Sequence, residues 1–211
     1  MNGKQRTDFH IRSMINTDVH AVVDVHLLSF QGFFLSYLGA RFLIELYSSI
    51  IMDTSGICFV CENNNNIIGF VAGTSKPEEF YHRLLYNRWW RFGVASFVPL
   101  IKRPTILPRL LQVFRMSKQS PLQENCGTLM SIAVAPDEEG KGIGQALLKA
   151  FLNEAKNRGL WFVNLSTDKN NNDAVNAFYI RNGFQCNRSY TTSEGRVMNE
   201  FHIDIRNVSI A

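Results

Sequence analysis

Three glycines at alternate positions, Gly140-Lys-Gly-Ile-Gly144, stand at the head of an apolar-periodic stretch running through Leu147, Leu148, Phe151, Leu152 and Ala155. Glycines at a helix start let several backbone N–H groups crowd one anion, and the helix dipole adds to the attraction. The chemistry on offer is phosphate binding, and the alternative is a glycine-softened helix start with no ligand. The spacing is G-x-G-x-G, not the dinucleotide-binding G-x-G-x-x-G. Five residues also separate Val134, at the end of the preceding apolar run, from Gly140, whereas a Rossmann turn follows its strand almost directly. Asp168 falls where a ribose-binding acid would stand, so that reading stays open. A Walker A reading fails, because no Lys-Ser or Lys-Thr pair follows the glycines. Cys58 and Cys61 form a C-x-x-C inside a β-branched and aromatic run. Residues i and i+3 of a strand point to opposite faces, so these sulfurs cannot share a metal. Cys126 and Cys186 are single, and all four cysteines read as structural thiols, with no metal site.

The elements that must position these groups can be read from periodicity. Phe9 to Met14 reads as a strand, and Asn16-Thr17-Asp18 offers an N-cap to a helix through Val19, Val22, Val23, His26, Leu27 and Phe30. A second helical pattern follows Gly32 (Tyr37, Phe42, Leu43, Leu46, Tyr47, Ile50). Gly56 to Cys61 and Ile67 to Gly73 read as a hairpin around an Asn-rich turn. Thr128 to Ala135 reads as a strand ended by Pro136, and the glycine-headed helix then runs to Gly159. Leu160 to Ser166 is the next strand, Asp173 to Asn182 a helix stopped by Gly183, and Phe184 to Thr191 with Arg196 to Ile205 a closing hairpin. Strand–helix–strand through 128–166 implies one parallel pair in an otherwise antiparallel sheet. The expected fold is α/β (α+β): a mixed, mostly antiparallel sheet flanked by helices, in a single domain over 1–211. A helical insertion at 75–125 falls between the third and fourth strands.

Composition narrows the classes. The 211 residues are 45% hydrophobic and 19% charged, too apolar for a disordered chain. The longest apolar run, Phe92 to Ile101, is half of the roughly 20 residues that span a bilayer. The first residues lack the apolar core of a signal peptide, and four scattered cysteines suit a reducing compartment, so a cytoplasmic location is expected. Net charge is +4, but from Lys76 to Gln119 there are nine basic and two acidic residues, a balance of +7 that leaves −3 elsewhere.

Residues 131–148, from Ser131 through Pro136 and the glycines to Leu148, resemble motif A of the GNAT superfamily of N-acetyltransferases. Asn172-Asp-Ala-Val-Asn-Ala-Phe-Tyr-Ile-Arg-Asn-Gly-Phe184 is similar to its motif B, in the matching order and separation. The resemblance is close over Thr128–Ile205 and loose over Phe9–Gly73, and it does not account for the basic stretch. It implies transfer of an acetyl or similar acyl group from acetyl-CoA to a primary amine, in a ternary complex and without a covalent enzyme intermediate. The strand at Ile132, Ala133 and Val134 would bond the pantetheine arm as another strand would, and a backbone N–H near Val134 would polarise the thioester carbonyl. The amides of Gly140, Lys141, Gly142, Ile143 and Gly144 would cradle the diphosphate. Asn172 would hold the pantetheine from the other side, and Tyr179 would protonate the departing thiolate. A core phenol is the other reading of Tyr179.

Two residues depart from the family's pattern. Glu139 stands where Arg or Gln is usual, beside a phosphate site, and Val175 stands where Ala is frequent. A general base is not singled out; the candidates are Asp168, His82, His26 and Glu124. The basic, aromatic stretch has three readings. It packs its Trp and Leu face on the core, or covers the acceptor cleft and recognises an anionic substrate such as a nucleotide-linked amino sugar, or contacts a membrane surface. Nucleic acid is not expected, since no reading helix accompanies the charge. Arg196–Phe201 and Phe30–Leu35 resemble GNAT proteins of surface-polysaccharide pathways. The rival function is a non-catalytic acetyl-CoA-binding regulatory module, and either a monomer or a homodimer fits.

Overall fold

The structure, a computed structural model, describes residues 9–84, 86, 92, 125–192 and 195–206. Seven strands form one sheet: β1 (His10–Ser13), β2 (Gly56–Asn63), β3 (Asn66–Thr74), β4 (Cys126–Val134), β5 (Phe162–Asp168), β6 (Gln185–Thr191) and β7 (Val197–Asp204). Their spatial order is β1-β2-β3-β4-β5-β7-β6, antiparallel throughout except for the parallel β4–β5 pair. That pair is parallel because a helix, α5 (Ile143–Asn157), carries the chain back to the same end of the sheet.

The β2–β3 hairpin closes on Asn64 and Asn65, both left-handed (φ 49° and 63°), which a two-residue hairpin turn demands and asparagine tolerates. Alternation along β2 sends Cys58 and Cys61 to opposite faces. Cys58 packs against the cluster formed by α1 (Val19–Ser29) and α3 (Gly39–Met52), and Cys61 is buried in the cluster beneath α5. The first cluster centres on Val22, Leu43, Tyr47 and Phe70, the second on Val71, Leu147, Phe151 and Phe201.

Two details differ from the sequence reading. Asn16–Asp18 forms a short 3₁₀ turn ahead of α1 rather than a side-chain cap. The Asp18 carboxylate turns back to accept from Ile15 N–H (2.9 Å) and from the Arg12 guanidinium (2.7 and 2.9 Å). The second helical pattern is split, with one turn, α2 (Phe34–Tyr37), ahead of α3; Gly39 is left-handed at φ 83° where they meet.

Between β3 and β4 the described residues include α4, over 77–84. Asp53, at the end of α3, accepts from Arg83 through both oxygens (2.7 and 2.8 Å). Phe80, Leu84 and Phe92 are buried in the α1/α3 cluster, with Phe92 edge-on to Phe42. The rest of the basic, aromatic stretch and Glu124 lie outside the described residues. Among the described residues no helix is long and apolar enough to cross a membrane.

Candidate active site

The centre of the molecule is a fork in the sheet. β4 and β5 are paired only from Cys126–Thr128 to Phe162–Asn164, although β4 continues to Val134 and β5 to Asp168. Thr128 donates to Asn164 Oδ1 at 2.6 Å, pinning the strands where they part. Beyond that point β4 has a free inner edge. Ala135 N–H bonds Ile68 O on β3, so by alternation the amides of Ile132 and Val134 face the gap and the backbone of Ala133 faces β3. Ser29, at the end of α1, donates to Val134 O at 2.9 Å and occupies the carbonyl that a neighbouring strand would have taken. Unpaired N–H groups on a strand edge are what an extended, amide-bearing chain can pair with.

The fork opens onto the head of α5. Gly140 and Gly142 are both left-handed (φ 76° and 83°), and a Cβ built on either meets nothing within 4 Å. Glycine is needed there for its backbone conformation and for open approach, not for packing. The first bond inside the helix runs from Ala146 N–H to Gly142 O, so the N–H groups of Ile143, Gly144 and Gln145 have no intrahelical acceptor. They are the positive end of a 15-residue helix. Lys141 Nζ sits 2.7 Å from Glu138 Oε2, and Glu139 is exposed on the cleft's rim.

On the far side of the fork, α6 (Asp173–Arg181) is tied to the end of β5. Asn172 Nδ2 donates to Thr167 Oγ1 (2.8 Å) and Asp168 O (3.0 Å), and Asn176 Nδ2 donates to Asp168 O (3.0 Å). The side-chain nitrogen of Asn172 therefore holds the wall together. Tyr179 lines the cleft from α6, packed among Phe178, Phe184 and Phe201, with its phenol held well above its ordinary pKa by burial. It keeps its proton at any working pH.

The sequence's four base candidates are scattered. Asp168 is gripped by Arg196 through both oxygens (2.5 and 3.1 Å). His82 is exposed on α4, stacked on Tyr86 and away from the cleft. His26 is buried and bonded to Tyr47, and Glu124 lies outside the described residues.

Residues 20–184 match the protein family described as Acetyltransferase (GNAT) family. The chain belongs to the GNAT acetyltransferase family. No curated protein matches it. Among solved structures it is similar to the ribosomal-protein-S18-alanine N-acetyltransferase of Escherichia coli (18% identity, 95% of this chain and 98% of that one, TM-score 0.59). It is similar, too, to yncA of Salmonella typhimurium, whose structure contains its cofactor acetyl-CoA (13% identity, 95% and 96%, TM-score 0.59). A third is a spermidine N-acetyltransferase chimera from Vibrio cholerae and hSSAT (17% identity, 93% and 95%, TM-score 0.59). At these identities the likeness shows a shared fold.

By family this GNAT protein is an acyl-CoA-dependent acetyltransferase with acetyl-CoA as its cosubstrate. The free edge of β4 and the open amides of α5 suit the two ends of that cosubstrate, an amide-bearing arm and a diphosphate. Several groups lining the acetyltransferase's cleft were not singled out in the sequence: Ser29, Tyr47, Ser131 and Arg196. Ser131 carried a signal, as a lone hydroxyl inside the apolar run Leu-Met-Ser-Ile-Ala-Val. Tyr47 carried none, because its place on the apolar stripe of α3 reads as core.

Proposed function

We propose that this acetyltransferase moves the acetyl group of acetyl-CoA directly onto a primary amine of a small molecule, in a ternary complex. The observation that carries the reading is the fork: β4 and β5 part after Thr128 and Asn164, and the gap runs from Ile132 and Val134 to the unpaired amides of α5. The pantetheine arm would run along the β4 edge past Val134, with its thioester end at Ile132 and with Ala133 between them supplying a core side chain. The amides around Gly140, Lys141, Gly142, Ile143 and Gly144 would receive the diphosphate. Asn172 supports this by bracing the opposite wall. The amine lone pair attacks the thioester carbon, the C–S bond breaks, and the thiolate takes the proton of Tyr179, a phenol kept protonated by burial. Water returns a proton to Tyr179, and the proton lost by the amine leaves to solvent.

The finer reading of the acceptor is an anionic amino sugar. It rests on the +7 balance between Lys76 and Gln119 and on the aromatic rings of Phe30 and Phe33 along the cleft. Thiol release from acetyl-CoA across a panel of amines, amino sugars included, tests both levels. Turnover with at least one amine is expected, with Tyr179→Phe lowering kcat on the order of 100-fold and leaving acetyl-CoA affinity unchanged. Tight acetyl-CoA binding without turnover on any amine would refute the amine acceptor, and an unchanged kcat in Tyr179→Phe would remove its role as acid.

A further inference from the structure

A chain of three uncharged groups runs from the core to the reacting end of the cleft, and no step above uses it. His26 Nδ1 lies 2.7 Å from Tyr47 Oη, and Tyr47 O–H donates to Ser131 Oγ at 3.2 Å. His26 and Tyr47 are buried on α1 and α3, whereas Ser131 is half-buried and lines the cleft on β4. Because the one phenolic hydrogen of Tyr47 goes to Ser131, its oxygen faces Nδ1 as an acceptor, and Nδ1 carries the imidazole hydrogen. His26 Nε2 is then a buried lone pair with no partner, between the rings of Phe30 and Phe70. A nitrogen left unsatisfied at that depth is a standing cost, tolerated where the other nitrogen holds something in place.

The backbone of β4 explains why Ser131 stands where it does. The β3–β4 register slips between Ala72–Ser131 and Gly73–Leu129, so Met130 is an extra residue on β4. The bulge breaks the alternation. Leu129 lies in the cluster beneath α5, while Ser131, two residues on, points to Tyr47 on the opposite face. Beyond it, Ile132 N–H is the first amide of β4 to face the gap. With its lone pair engaged by Tyr47, and with no acceptor for its own hydrogen among the described residues, the Ser131 hydroxyl is a donor offered to the cleft, one residue from that amide.

We infer that the Ser131 hydroxyl is a second, side-chain donor to the thioester carbonyl, beside the backbone N–H of the β4 edge at Ile132, with Tyr47 and His26 as positioning residues that hold the Ser131 hydroxyl in its donating orientation. The inference rests on the acetyl-transfer reading and adds a side chain to it. As the amine lone pair forms the C–N bond, the carbonyl π pair moves onto oxygen, where the two donors meet it. The C=O re-forms as the C–S bond breaks and the thiolate takes the Tyr179 proton. Ser131 keeps its own proton throughout. A chain of aligned donors in a low-dielectric interior strengthens its last member, and neither buried group charges near neutrality: burial holds His26 down at about 4 and pushes the Tyr47 phenol up.

The test reads the carbonyl itself and needs no acceptor amine. Acetyl-CoA labelled with ¹³C at the thioester carbonyl is bound to the protein, and its ¹³C resonance is compared with that of free acetyl-CoA. A downfield shift on binding is expected in the wild type. It should be largely lost in Ser131→Ala, kept in Ser131→Thr, and reduced in Tyr47→Phe, with acetyl-CoA affinity changed less than about threefold; with a productive amine, Ser131→Ala should lower kcat on the order of 100-fold. A bound resonance in Ser131→Ala equal to the wild type's would overturn the assignment. Loss in Ser131→Ala but full retention in Tyr47→Phe would overturn the positioning role. Failure of the wild type to bind acetyl-CoA would overturn the reading of the cleft and this inference with it, whereas failure to find an amine would touch only the acceptor.

Discussion

Replacing Gly142 by alanine separates the backbone's demand for glycine from the ligand's. Gly142 sits at φ 83°, ψ 0°, at the N-cap of α5, and a Cβ there meets nothing within 4 Å. The left-handed conformation costs an L-residue about 1–2 kcal/mol. Part of this, about 0.4–1 kcal/mol, is offset because alanine has fewer unfolded conformations to lose. No packing term enters, so the net loss should be about 1 kcal/mol, or a Tm lower by roughly 2–4 °C for a chain of this size. The ligand effect is separate. At 100 times Kd, acetyl-CoA adds about 2.7 kcal/mol of stability. The new methyl would stand in the open space before the amides of Ile143, Gly144 and Gln145, where the diphosphate must come. A tenfold loss of affinity removes about 1.4 kcal/mol of that stabilisation, so the acetyl-CoA-induced rise in Tm should shrink by roughly 3–6 °C. Thermal melts of both proteins, with and without acetyl-CoA at one fixed concentration, give both numbers. An undiminished ligand-induced rise would refute the cradle, since no protein atom is there for the methyl to disturb.

Two further outcomes follow from charge and burial. Glu139 places an exposed carboxylate on the rim beside the amide cradle, so Glu139→Gln should bind acetyl-CoA as tightly or more tightly by calorimetry; clearly weaker binding would show that the carboxylate assists. His26, held at about 4 by burial against an ordinary 6.5, is neutral when folded, whereas the unfolded chain takes up its proton below 6.5. Its contribution is therefore complete above pH 6.5 and is lost as the pH falls toward 4, by up to about 3 kcal/mol; an NMR titration placing the His26 imidazole near 6.5 would contradict this.

Much of the scaffold was legible because the residues that write it act locally. Asn64 and Asn65 announce a tight turn, Gly159 and Gly183 end helices, and the stripe from Leu147 to Ala155 faces one core. The parallel β4–β5 pair followed from chain order alone, since only a crossover helix can join parallel neighbours. The head of α5 was legible for the same reason: left-handed glycines and unpaired amides belong to one stretch of chain. The start of α1 departs from its local pattern because Asp18 has two competing uses. Its carboxylate took Arg12, six residues back and paired also with Glu62, over the helix amides.

What the sequence by itself determined is the phosphate-cradle pattern, the order of elements and the motif that carries Tyr179. Tertiary structure alone decided which side chains meet. Asp168 reads as a free acid until the β6–β7 hairpin brings Arg196 onto it, 28 residues away in the chain. Ser131, Tyr47 and His26 lie on three different elements and acquire a joint meaning only when the Met130 bulge turns Ser131 toward α3. A local pattern records the conformation of its own stretch. A hydrogen-bonded chain depends on distances between elements, which are set by how α1, α3 and β4 pack.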